Sequence, residues 1–256
     1  MPIDLTQFER GQPFEGNFDG ELRSLSARLG QLQRAQIVHR RRAIILFEGW
    51  LGSGKKAVLQ RLMAALDPCH VGVHCYGTGN FEDEDRHWLA TFWNDLPPAA
   101  STSLFFRSWY RRALEPRVSG AVDDKQWHRA LDEINEFECQ QHDHGTLIVK
   151  LFFHVSAEVQ QERIEQRLAD PWSTHLLSAT DIERVRQRGA YAGHVGELLD
   201  HTNTRWAPWT IIDGSHPNSA TLTALGTIAD VLAKRLPAEP PAGRQTVVPF
   251  PTQRQA

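Results

Sequence analysis

The stretch "FEGWLGSGKKAVLQRL", Phe47–Leu62, decides how this chain is read. It continues an apolar, β-prone run (Ala43, Ile44, Ile45, Leu46, Phe47), passes Gly49, Gly52, Ser53 and Gly54, reaches Lys55 and Lys56, and becomes an amphipathic helical pattern. Gly49, Gly54 and Lys55 satisfy G-x-x-x-x-G-K between a predicted strand and a predicted helix, the context that gives this spacing meaning. Glycine tolerates positive φ and lets backbone N–H groups close on an anion, a helix start adds free N–H donors, and lysine adds a point charge. Gly49, Gly52, Ser53, Gly54, Lys55 and Lys56 are therefore the candidate phosphate ligands. The competing reading is a plain glycine turn with a solvated lysine. Lys56 stands where P-loop NTPases carry the hydroxyl that holds Mg²⁺.

Outward from this loop, short β-prone runs recur at 43–49, 70–77, 101–106, 146–155 and 208–214, separated by stretches with helical patterning. That alternation predicts an α/β fold with a parallel five-stranded sheet between helical layers. Trp127, Leu131, Ile134 and Phe137 step at intervals of four and three and are expected in the core. "SATD" at 178–181 reads as a capping box opening one long charged helix, placed where a phosphotransferase would carry a lid. The expected organisation is a loosely held segment over 1–20, a domain over 21–236 with the lid at about 171–203, and a Pro-rich, disordered tail over 237–256.

With 256 residues, 41% hydrophobic and 23% charged, the chain suits one sizeable domain. A net charge of −3 excludes the broadly basic body of a general nucleic-acid binder, so any polyanion site must be local. Three cysteines without C-x-x-C spacing fit a reducing compartment, and neither a secretory leader nor an apolar run of spanning length is seen, so a cytoplasmic location away from membranes is expected.

The loop resembles that of the polyphosphate kinase 2 family, F-E-G-x-D-x-x-G-K-G, at Phe47, Glu48, Gly49, Gly54 and Lys55. A second block, "FRSWYRRALEPRV" from Phe106, is similar to the family's D-R-S-W-Y-N-R-A at Arg107, Ser108, Trp109, Tyr110, Arg112 and Ala113. Phe137, Glu138, Gly145, Thr146, Lys150, Ser156, Gln160, Arg163, Arg167, Asp170 and Pro171 follow the family's segment leading to its lid, and "TNTRWAPW" resembles its T-S-T-x-x-A-P-W. The resemblance runs from about residue 30 to 235. It implies a P-loop kinase fold with a helical lid, and transfer of a terminal phosphoryl group between inorganic polyphosphate and a nucleoside mono- or diphosphate (AMP/ADP or ADP/ATP) with Mg²⁺, often in a dimer or tetramer. Lys55, Arg107 and Arg112 take the catalytic positions under this resemblance.

Leu51 and Phe106 stand where the family carries its two aspartates, Arg111 where it carries asparagine and Lys56 where it carries glycine. Mg²⁺ normally reaches a protein through one or two carboxylates plus substrate phosphates, which neither leucine nor phenylalanine supplies. Glu48 and Glu115 are the remaining candidate metal carboxylates. Lys56 and Arg111 add positive charge, so a site that neutralises phosphates with side chains is one expectation. A catalytically silent relative that binds polyphosphate or nucleotide, or that serves an active partner chain, is the alternative, and an ATP-dependent small-molecule kinase is a third. Arg163 and Arg167, one helical turn apart, are further phosphate candidates, and Arg184 and Arg188 have the same spacing. Arg40, Arg41 and Arg42 precede the first strand at the end away from the loop and are read as solubilising. Cys69, His70, His74 and Cys75 alternate sides of a strand and do not converge on a metal.

Overall fold

The computed structural model describes residues 3–77 and 86–242. All five expected strands form: β1 (Arg42–Gly49), β2 (Val71–Cys75), β3 (Thr102–Phe106), β4 (Thr146–His154) and β5 (Trp209–Asp213). They make one parallel sheet in the order β2-β3-β1-β4-β5. In chain order the helices are α1 (Phe18–Val38), α2 (Lys55–Ala65), α3 (Ala90–Asn94), α4 (Trp109–Val118), α5 (Asp124–Asp143), α6 (Ala157–Ala169), α7 (Pro171–Thr174), α8 (Ala179–Arg186), α9 (Arg188–His201) and α10 (Pro217–Arg235).

The central strands are buried on both faces, which is why they read as continuous apolar runs. Side chains alternate across the sheet. Ala43, Ile45 and Phe47 join α1, α2 and α10 on one face, while Ile44 and Leu46 join α4, α5 and α9 on the other. Trp127, Leu131, Ile134 and Phe137 are all buried, as their spacing predicts, each burial being worth about 1.5–3 kcal/mol for a side chain of this kind.

Strand order places the site. β1 is followed by α2 on one face, and β3, its neighbour, by α4 on the other. The two chain directions part above the carboxyl ends of β1 and β3, and the crevice left there is where ligands bind in open α/β sheets.

Two expectations are corrected. The N-terminal segment is not loose: Ile3 N–H donates to Asp200 (2.6 Å), Gly11 N–H to Asp213 (2.7 Å), and Glu9 pairs with His154 (2.8 Å). His154 accepts at Nδ1 from the indole of Trp50 (2.8 Å), so its Nε2 carries the proton given to Glu9. The expected single lid helix is broken at Gln187 into α8 and α9, although its Ser178–Asp181 capping box forms as read. Tail residues 243–256 lie outside the described residues.

Candidate functional site

β1 ends at Gly49, with φ +122°, and a Cβ there would lie 2.1 Å from the carbonyl of Phe153. Only glycine lets the chain leave the sheet at this point. Gly52 and Gly54 take left-handed backbone (φ +81° and +87°), and Gly54 caps α2 without a side chain, so no side chain competes for the N–H groups of the helix start. The Lys55 ammonium is buried and donates to the carbonyls of Gly49 (2.9 Å) and Trp50 (2.7 Å). Burial, then the charge of Arg107, pull its pKa down to about 7. Ser53 Oγ beside it is buried with no hydrogen-bond partner.

The loop is clamped from behind. Gln160 donates to the Leu51 carbonyl (2.9 Å). Arg163 donates to the carbonyls of Gly52 (2.9 Å), Gly214 (2.9 Å) and Ser215 (2.8 Å), tying the loop to the turn after β5. Arg188 bonds Gln160 (2.6 Å) and the Val155 carbonyl and stacks on Trp50, with 4.5 Å to the ring centroid. The guanidinium of Arg163, expected on phosphate, is therefore committed to backbone carbonyls, and neither it nor Arg167 lines the cavity.

The facing wall starts at the tip of β3. Arg107 holds a left-handed φ of +68°, which costs a non-glycine residue energy and is found where structure elsewhere holds it. Next to it, Ser108 caps α4, and its N–H (2.6 Å) and hydroxyl (2.8 Å) both donate to Glu48 Oε1. Burial pushes the Glu48 carboxyl up against the opposing pull of these bonds and of Lys55 and Arg111. Burying Trp109, Tyr110 and Ala113 turns Arg111 into the cavity. Arg112, the position matched to the family block, does not line it, and Lys56 lies exposed on α2 outside it.

α8 closes the ring. Asp181 Oδ1 meets Arg107 (3.3 Å) and Arg184 (3.4 Å), while Glu115 Oε1 takes Arg111 Nε (2.5 Å) and Arg184 (2.7 Å). Burial works to raise the Asp181 carboxyl, but the Ser178 bonds and Arg107 together hold it low. Arg111 Nη2 is buried with no partner. Four cations and three carboxylates thus surround a cavity of about 110 Å³ whose remaining wall includes Tyr110, Leu114, Phe152, Tyr191 and Trp209. Below it, Lys150 and Glu138 form a fully buried pair (2.8 Å); Glu138 also accepts from Tyr110 (2.6 Å) and Trp109 (3.1 Å), and Lys150 donates to the Thr202 carbonyl (2.7 Å).

Sequence reading missed Asp181, because its role in the capping box already accounts for an acid there. The second oxygen of that carboxylate does the work at the site. Arg184 was visible only as half of a helical pair whose other half, Arg188, serves the loop clamp.

A model described as "Polyphosphate kinase 2 (PPK2)" matches residues 15–240. The chain belongs to the polyphosphate kinase 2 family. It is 30% identical over 218 residues to a polyphosphate:AMP phosphotransferase of Pseudomonas syringae pv. tomato, covering 85% of this chain and 44% of the relative. A Pseudomonas aeruginosa protein of the same name is 30% identical over 229 residues, with 89% and 46% covered. The chain thus spans less than half the length of these relatives. An ADP-polyphosphate phosphotransferase 2 of Rhizobium meliloti is 29% identical, covering 85% of this chain and 70% of the relative. A crystal structure from Pseudomonas aeruginosa PA01 superposes with TM-score 0.82 at 28% identity over 91% of this chain and 49% of that one. Polyphosphate kinase 2 from Arthrobacter aurescens TC1 shares the fold, with TM-score 0.84 at 24% identity over 94% of this chain and 87% of that one.

Against the family block, Phe106 takes the aspartate's place and lays its ring beside two cations, 5.4 Å from Lys55 Nζ and 5.8 Å from Arg107 Cζ. A ring face attracts a cation but does not ligate a metal. The residues present do not fit a magnesium held mainly by protein. Among the described residues no three His, Cys, Asp or Glu are placed so that they could hold one metal ion, and Glu115 and Asp181 are engaged with arginines. Of the two expected metal carboxylates, Glu48 spends Oε1 on Ser108 and Glu115 spends Oε1 on Arg111 and Arg184, so each has one oxygen already committed. Also among the described residues, no helix is long and apolar enough to cross a membrane.

Proposed function

We propose that this chain transfers a phosphoryl group between inorganic polyphosphate and a nucleoside mono- or diphosphate. The observation that carries this is the convergence of Lys55, Arg107, Arg111 and Arg184, from three helices and the turn after β3, on one cavity with an aromatic and aliphatic far wall. Phosphoryl transfer asks for positioning and for neutralisation of charge spread over the transferring oxygens. Guanidiniums suit this, because each presents paired donors to two oxygens. Asp181 and Glu115 hold the arginines in place until substrate phosphates take over those contacts. Lys55, released from two carbonyls, follows the phosphate. The apolar wall beside the cations offers a surface for a base and ribose. The names of the relatives, which include phosphotransferases described for AMP, ADP and GDP, support the substrate class.

Incubating the protein with AMP or ADP, long-chain polyphosphate and Mg²⁺ or Mn²⁺ should yield the next higher nucleotide. Protection from thermal unfolding by polyphosphate, with no phosphorylated nucleotide under any of these conditions, would replace this reading with a silent polyanion binder. Leu51→Asp with Phe106→Asp should raise Mg²⁺-dependent transfer by roughly tenfold or more, since carboxylates are the protein ligands magnesium takes. No gain would count against a magnesium route through these positions.

A further inference from the structure

At the opposite end of the sheet a second cavity, of about 380 Å³, opens beside the edge strand. Pairing explains it: β1 accompanies β4 from Thr146 onward, but β5 joins β4 only at Lys150, so Thr146–Val149 have a strand on one side alone. Besides Lys150, whose ammonium is committed to Glu138, Arg41, Arg205, Lys234 and Arg235 line this gap, and no aspartate or glutamate does. The acids nearest in sequence to the lining are paired elsewhere, Asp143 with His142 at 3.4 Å and Asp230 with Arg28 at 2.8 Å. Arg41, which the sequence gives as a solubilising charge, is here part of a wall.

A second observation points to a ligand. Arg41 Nε, Thr146 Oγ1 and Trp206 Nε1 are buried, belong to residues of this lining and have no hydrogen-bond partner. Thr146 is only 2% exposed. Arginine and tryptophan nitrogens donate only, and a threonine hydroxyl also donates. A buried donor is normally satisfied, so three of them in the residues of one lining favour a partner rich in acceptors.

We propose that this cavity is a second anion site, taking a phosphate-bearing ligand whose charge is balanced by Arg41, Arg205, Lys234 and Arg235 and whose acceptor oxygens suit a lining that holds unpartnered donors. A peptide strand added to the open edge of β4 would bring N–H donors as well as carbonyls and leave the cations unmatched. The tail fits no better, since residues 243–256 contain Arg244 and Arg254 and no acid. The site is separate from the catalytic crevice, because eight-residue β1 lies between them and spans about 25 Å at roughly 3.3 Å per residue. Free phosphate, a polyphosphate end and a nucleoside monophosphate share the required chemistry.

The test is calorimetric titration of the intact chain with inorganic phosphate, tripolyphosphate and AMP in separate arms, repeated in Lys55→Met to weaken the first site. One event should survive Lys55→Met, and Arg205→Glu with Lys234→Glu should weaken that event at least tenfold without moving the melting temperature, both residues being exposed. Thr146→Val, which removes only the hydroxyl, should weaken it severalfold. Saturation by phosphate alone identifies a free-phosphate site, whereas tenfold tighter tripolyphosphate or AMP identifies a chain or a nucleotide. The proposal falls if no event survives Lys55→Met, if the surviving event ignores Arg205→Glu/Lys234→Glu, or if those substitutions instead split a dimer, which would mean that a second copy covers this face.

Discussion

Two lysines are buried in this molecule, and their surroundings differ in a way that separates framework from chemistry. Lys150, under the cavity, is paired with Glu138 at 2.8 Å, and a tyrosine hydroxyl and a carbonyl complete its three bonds. Lys55, at the end of the loop, has no carboxylate within hydrogen-bond reach among the described residues and rests on two carbonyls. Burial depresses both ammonium groups. The first has its counter-charge supplied by the fold. The second leaves its charge incompletely matched, which is what a site needs if the missing counter-charge is to come from a substrate.

The largest effect expected from breaking this contrast is on the framework. Lys150→Met should cost about 3–5 kcal/mol in urea unfolding, because it strands Glu138 in the interior, and adding Glu138→Gln should recover much of that loss. A cost below 1 kcal/mol would show that the pair is not a pillar. Lys55→Met should do the reverse, leaving stability unchanged or raised while transfer falls by about 10²–10³-fold, the usual effect of removing one donor to developing charge.

Protonation sharpens the same contrast. Below pH 7 the Lys55 ammonium is charged with or without an anion; above it, the free site must take up a proton in order to bind. Anion affinity should therefore fall by up to about tenfold per pH unit above 7 and lose that component in Lys55→Met. Without anion the sign is opposite for stability: the unfolded chain binds the extra proton between about 7 and 10.5, so wild type should gain stability relative to Lys55→Met as pH rises through that window. A flat difference between the two proteins would mean that Lys55 is solvated. The smallest effect is at the lid. Asp181→Asn frees Arg107 and Arg184 from a half-buried partner and should tighten polyphosphate binding by roughly fivefold, about 1 kcal/mol; weaker binding would make Asp181 part of the phosphate site rather than its stand-in.

Much of this architecture was legible beforehand. The five strands appear where the β-prone runs lie, and the glycine loop between β1 and α2 forms where the Gly49–Lys55 spacing places it, because both depend on residues close in the chain. The N-terminal segment was misread for the converse reason: its composition is polar, yet Glu9 and Gly11 find partners at His154 and Asp213, far away in sequence.

The sequence by itself determined the strand and helix pattern, the loop and the absence of aspartate at 51 and 106. Only the tertiary structure decided which arginines face the cavity. Arg111 and Arg112 sit about 100° apart on one helix, and packing of Trp109, Tyr110 and Ala113 on the sheet turns the first inward. Arg163 was expected on phosphate and Arg184 showed only a matching helical spacing; the first grips loop carbonyls and the second meets Glu115, a partner 69 positions earlier in the chain. Backbone pattern is local, whereas the counter-charge a side chain meets is set by which distant elements fold against it.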